Sequence, residues 1–219
     1  MKIRLLVIVA AATVGIGSVT AFAATMGVGS WHIGTGADTL TKGTCTVIGS
    51  TNIADEYVLE SSPGTNNANT TTAIVRASTS GNREWMFVRF DLSSCALPTT
   101  GGADTATMKL VVKTAPGTAR TLAATPVLTT WAETLTWTQA QALTYGSAAT
   151  TTFSTGTTSG ATLSVPVTID VDALIKSTTA NYGWQITDTG ASSATTTTFN
   201  TVEAATAALR PQLVINYEK

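Results

Sequence analysis

Histidine is nearly missing from this chain: His32 is the single one in 219 residues. Cysteine is also sparse, with Cys45 and Cys95 the only two, and charged residues make up 11%. Each shortage excludes something. One histidine and two distant cysteines cannot by themselves build a zinc site. A Ser-His-Asp triad would need His32, which lies in a glycine-rich stretch, and no G-x-S-x-G elbow accompanies it. A reactive thiol lacks a second histidine to activate it. Lys and Arg number 12 against 13 Asp and Glu, with no basic run, which leaves no electrostatic footprint for nucleic acid. No phosphate loop, dinucleotide fingerprint or EF-hand loop occurs, and nothing marks two of the acids as a pair for glycoside hydrolysis. No acid-base set can be named, so the chain is expected to be no enzyme and to require no cofactor.

What is present points to an exported β-protein. The apolar fraction, 43%, is too high for a disordered chain, and roughly a fifth of the residues are threonine. At the N-terminus Lys2 and Arg4 precede an apolar run from Leu5 to Gly17. Ala21-Phe22-Ala23 then supplies a small-residue cleavage signal. Residues 1–23 therefore read as a secretory signal peptide, and no stable membrane span is expected after its removal. The competing reading is a retained anchor, since Leu5 to Ala24 gives about 20 residues, enough to span a bilayer. Residues 24–43 read as a flexible glycine-rich leader containing Trp31 and His32. Residues 44–219 form the expected globular domain. Export makes Cys45 and Cys95 candidates for a disulfide, the alternative being two buried thiols.

From Thr44 onward, apolar and β-branched runs recur about every ten residues between Gly, Pro, Ser and Asn clusters. Strands are expected at Cys45–Ile48, Asp55–Leu59, Thr72–Arg76, Glu84–Asp91, Thr105–Lys113, Leu122–Leu128, Leu163–Asp170, Gly183–Asp188, Thr195–Thr201 and Gln212–Tyr217. In Glu84–Asp91 the alternation puts Met86, Val88 and Phe90 on the core face. Trp85, Phe87 and Arg89 take a partly wet one. Helical signal is limited to a turn at Thr138–Leu143 and one at Asp170–Lys176 with Asp172 as N-cap. No βαβ alternation argues for a parallel sheet. The threonine tracts at Thr150–Thr152 and Thr195–Thr198 are expected to line solvent faces of strands and loops.

Two constellations are candidates for binding. Trp131 and Trp137 lie six apart, which puts both on one face if the segment is a strand. They are either a sugar-stacking platform or a core pair, and Trp85 carries the same ambiguity. Arg76 is the polar candidate beside them. Asp170 and Asp172 are either half of a structural calcium site or helix-capping residues, and Asp55 and Glu203 are further oxygen donors for such an ion.

Several segments together resemble one known family. Ala54-Asp55-Glu56-Tyr57-Val58 resembles its opening A-D-x-Y-V strand, followed by the turn Ser62-Pro63-Gly64-Thr65-Asn66. Phe87-Val88-Arg89-Phe90-Asp91-Leu92-Ser93 resembles Y-L-R-F-D-L-S, and Trp131 to Trp137 resembles W-x-E-x-x-x-T-W with one residue fewer. Ile169 to Ile175, Asn181 to Ile186, and Val202 to Tyr217 resemble its later D-V-T-x-L-V, N-x-G-[FW]-x-[IL] and E-A…R-P-x-L-x-[VI]-x-Y elements. The chain thus resembles the DNRLRE domain, which is similar to carbohydrate-binding module family 96. The resemblance implies an all-β fold, an antiparallel jelly-roll β-sandwich of roughly 9–11 strands with one or two helical turns. It also implies a secreted, non-catalytic protein that recognises a polysaccharide outside the cell or at its surface. The alternative function is a structural cell-surface or fibre subunit that self-associates by β-strand addition.

Overall fold

The structure, a computed structural model, describes residues 41–78, 81–98, 101–191 and 194–218. The signal segment, and the leader through residue 40 with Trp31 and His32, lie outside the described residues.

Among the described residues there are eleven strands. They are β1 (Lys42–Val47), β2 (Ile53–Leu59), β3 (Thr72–Val75), β4 (Glu84–Phe90), β5 (Gly102–Thr114), β6 (Thr121–Pro126), β7 (Thr151–Ser154), β8 (Thr162–Pro166), β9 (Trp184–Asp188), β10 (Thr197–Asn200) and β11 (Gln212–Glu218). Two short helices, α1 (Trp137–Gln141) and α2 (Thr168–Ile175), and a 3-10 turn at Ala207–Leu209 complete them. All strand pairs are antiparallel. One sheet runs β1-β11-β5-β10-β3 with β8 added along β5, and the other runs β2-β4-β9-β6-β7. This is a β-sandwich.

Period-two alternation supplies the layer shared by both sheets. Met86, Val88 and Phe90 of β4 and Ile186 of β9 join Ala106, Met108, Leu110 and Val112 of β5 and Leu213 and Ile215 of β11 in one buried cluster. Each large side chain contributes about 1.5–3 kcal/mol on burial, so this layer outweighs the two short helices in holding the fold. The opposite face of β5 and β11 carries Thr105, Thr107 and Asn216, and Asn216 Nδ2 donates to Thr105 Oγ1 at 2.8 Å.

Four expectations are corrected. Phe87 does not face water: it is fully buried on the outer side of its sheet, in a second cluster with Val58, Val127, Trp131, Leu135, Trp137 and Ala140. The chain between β6 and β7 folds over that side and closes it. The segment from Trp131 to Trp137 is not a strand but a turn leading into α1. Thr136 caps this helix reciprocally: its N–H donates to Gln139 Oε1 at 2.9 Å, and its Oγ1 accepts from the Gln139 N–H. Strand β8 stops at Pro166 and α2 begins at Thr168, so Asp172 lies inside the helix rather than capping it. It accepts from Ala103 N–H at 3.2 Å and pairs with Lys176 at 2.6 Å. Finally, the second threonine tract does not keep to a solvent face, since Thr197 of β10 is buried, whereas Thr151 and Thr152 lie in an edge strand, β7, with alternating half-buried and exposed positions.

The disulfide joins Cys45 in β1 to Cys95 in the turn after β4, with the Cα atoms 5.7 Å apart. It fastens an edge strand to the body across a sequence separation of 50. Loop-closure entropy assigns such a link about 4 kcal/mol. The double replacement Cys45→Ser with Cys95→Ser is therefore expected to lower unfolding stability by about 2–4 kcal/mol in urea denaturation. An unchanged midpoint would show that the bond constrains nothing in the unfolded chain.

Candidate functional site

The tryptophans singled out by sequence turn inward. Trp131 is 6% exposed and Trp137 3%. The Trp131 ring lies 5.7 Å from Phe87, and its Nε1–H donates to the Tyr182 carbonyl at 2.6 Å. The Arg89 guanidinium sits 5.2 Å over the same ring. Trp137 packs 4.2 Å from the half-buried Trp85, and Arg83 lies over both rings. Neither Trp131 nor Trp137 offers a ring face to a ligand, so the platform expectation is withdrawn for these two. Arg76 is also engaged: its Nε donates to the Asn82 carbonyl at 2.8 Å and lies 3.2 Å from Glu84.

The four oxygen donors proposed for a metal do not converge. Asp170 Oδ2 accepts from Trp184 Nε1 at 2.5 Å and from the Thr150 hydroxyl. Asp172 belongs to Lys176 and Ala103. Asp55, buried on β2, accepts from the Val202 N–H at 2.8 Å, with Glu203 nearby. Among the described residues, no three His, Cys, Asp or Glu side chains form a metal-holding group. The structure therefore does not bring Asp55, Asp170, Asp172 and Glu203 together around one point.

What the fold does assemble is a surface where three depressions meet at Asn181, which lines all of them. The first is an open groove of about 470 Å³ with polar walls: Ser50, Thr51, Asn52, Arg89, Asp91 and Glu133. The second, about 550 Å³, lies between the turn after β4 and the end of α2, with Leu97, Pro98, Lys176 and Ser177. The third is a smaller apolar pocket beside Trp184.

Local bonding fixes these walls. Asn52 Nδ2 donates to the Ile48 carbonyl at 3.2 Å, and the Asp91 N–H donates to the Asn52 carbonyl at 2.7 Å. Arg89 Nη1 donates to the Trp131 carbonyl at 3.1 Å, and Glu133, two residues on, lines the same groove. Asn181 Nδ2 donates to the Phe90 carbonyl at 2.7 Å. Gly183, at φ +72, brings the chain against β4 so closely that a Cβ would lie 2.2 Å from the Val88 carbonyl oxygen. Only glycine fits there. The Ser93 N–H and hydroxyl, each 2.9 Å from the carboxylate, hold Asp91 below the usual carboxylate range. In the sequence Arg89, Asp91, Glu133 and Asn181 stand out as parts of the family-like segments, Arg89 also on the wetter face of its strand, and nothing there joins them in a site. Their signal was there, because all four fall in the quoted segments.

The model of carbohydrate-binding module family 96 matches residues 47–217. The chain belongs to that family. No curated protein matches it. The match to family 96 runs from the last residue of β1 into β11 and includes every residue of the polar groove. Membership in family 96 accords with a surface that offers hydroxyl, amide, carboxylate and guanidinium groups together, the chemistry that sugar hydroxyls require.

The buried carboxyls of β2 give a pH signature. Burial, with Glu203 adding repulsion, pushes Asp55 up to about 8. Burial pushes Glu56 up to about 7 against the N–H groups of Tyr57, Asn67 and Ala68. In the unfolded chain both ionise near 4, so the folded state holds the extra protons between about pH 4 and 8. Their contribution to stability is therefore full below pH 4 and lost as pH rises towards 8. Asp55→Asn is expected to flatten this fall and to match or exceed the parent at pH 8.5, read from urea midpoints at several pH values. A parent midpoint that rises from pH 5 to 8 contradicts the assignment.

Proposed function

We propose that the chain is a secreted, non-catalytic module that binds a polysaccharide through the groove at Asn181. The observation that carries this reading is the groove wall itself. Ser50, Thr51, Asn52, Arg89, Asp91 and Glu133 line one open channel on a scaffold of a carbohydrate-binding family. Carboxylates of Asp91 and Glu133 accept from sugar hydroxyls, and Arg89 donates to them. The groove is open and its lining offers no exposed aromatic ring, so affinity is modest, in the micromolar to millimolar range, or about 4–8 kcal/mol. Export is supported by the signal-like N-terminus and by the Cys45–Cys95 disulfide, a bond of oxidising compartments. No metal enters this reading. Assembly by strand addition, the alternative, would use an end strand such as β1, whose outer edge is unpaired among the described residues. That edge opens with Lys42, which is exposed and paired with Glu218 at 3.2 Å and Asp104 at 3.8 Å, a charged edge that discourages pairing.

Two variants separate site from scaffold. Glu133 is exposed, and Glu133→Ala is expected to weaken polysaccharide binding by about tenfold, the loss of one charged hydrogen bond, at unchanged thermal stability. Trp137→Ala is expected to cost about 3–5 kcal/mol of stability because its ring is in the second core. Affinity electrophoresis against a set of polysaccharides, with thermal melts alongside, reads both. Retention by a polymer that Glu133→Ala does not weaken would move the site elsewhere.

A further inference from the structure

The third depression differs in character from the groove it adjoins. It has a volume of about 90 Å³ and lies between α2 and the chain that enters β9. Its wall is apolar, made by Leu128, Ala173, Leu174, Tyr182 and Trp184, and one carboxylate, Asp170, lines it. Oδ2 of Asp170 accepts from Trp184 Nε1 and from the Thr150 hydroxyl, and the carboxylate lines the pocket. Leu128, at the rim, is 47% exposed. We propose that this pocket is a subsite for the acetamido substituent of an N-acetylated sugar, an assignment that rests on the glycan-binding reading above.

Size and chemistry both point this way. An apolar cavity of about 150 Å³ accepts benzene, with its six heavy atoms. By the same scale 90 Å³ accepts about four, the count in an acetamido group, and is too small for a pyranose ring. The methyl finds the apolar wall, and the amide N–H finds the Asp170 carboxylate, a charge-assisted bond. A sugar hydroxyl would satisfy the carboxylate and leave the wall unused. The methyl of a deoxy sugar would do the reverse. Asn181 borders both the pocket and the polar groove, so a ring lying in the groove can direct its substituent inward.

The test titrates the full chain by calorimetry with three hexamers: N-acetylglucosamine, glucosamine and glucose, all β-1,4-linked. The acetylated hexamer is expected to bind about tenfold or more tightly than the glucose hexamer and to shift the Trp184 indole N–H resonance. Ala173→Leu, a half-buried helix position, fills the pocket and should abolish the preference while leaving glucose-hexamer binding unchanged. Equal affinities for the acetylated and glucose hexamers, with no movement of the Trp184 resonance, overturn the subsite and leave the groove reading intact. Binding of no hexamer, with the Trp184 resonance also unmoved by millimolar N-acetylglucosamine, overturns the subsite; loss of binding to every polysaccharide is what overturns the groove reading. If Ala173→Leu instead changes the sedimentation coefficient and not the preference, the pocket is a contact between copies and the subsite is refuted.

Discussion

One indole fastens the candidate surface to the sandwich. Trp131 is buried against Phe87, donates to the Tyr182 carbonyl, and accepts through its own carbonyl from Arg89. These three contacts tie the cover over the outer sheet to β4 and to the chain entering β9. They also hold Arg89, and through Trp131 its near neighbour Glu133, in the lining of the groove. Both hydrogen bonds are partly buried, so losing a partner would leave a polar group poorly paired. The groove is therefore a consequence of how the second core closes, and its walls share the rigidity of that core.

The fold was largely legible because strands betray themselves by alternation. Met86, Val88 and Phe90, or Met108, Leu110 and Val112, announce a core face with no help from distant residues. Phe87 was misread because its covering comes from the chain beyond β6, and sequence alternation says nothing about what lies over a face. The Trp131–Trp137 spacing misled for a related reason: even spacing implies one face only if the backbone is extended, and here Thr136 and Gln139 start a helix instead. The disulfide could be anticipated from compartment, though not its geometry. The groove was not legible as a site. Its residues come from four separate segments, and only the tertiary approach at Gly183 and Asn181 brings them together.

Charge is distributed so that the surface and the interior respond to different pH ranges. On the surface, Asp91, Asp172 and Glu60 are all held below their ordinary values, by Ser93, Lys176 and Arg83 respectively. Inside, Asp55 and Glu56 are held above theirs by burial. Asp91, in the groove, thus keeps its charge across the range in which the interior carboxyls of β2 titrate. Its ligand chemistry and the cohesion of the fold are separable by acidity.

The pairing of β1 with β11 also has a mechanical meaning. Lys42 lies opposite Glu218, so tension applied to the chain at those two points opens the ladder like a zip, one residue pair at a time, which is the weakest way to load a sheet. Three residues in, at Cys45, the zip meets a covalent stop. Beyond it the pull passes through sulfur into the turn after β4, whose Leu97 and Pro98 wall the second depression. A domain held by its ends while gripping an immobile polymer would carry force through that turn, bypassing the ladder that pairs Cys45, Thr46 and Val47 with Ile215, Val214 and Leu213.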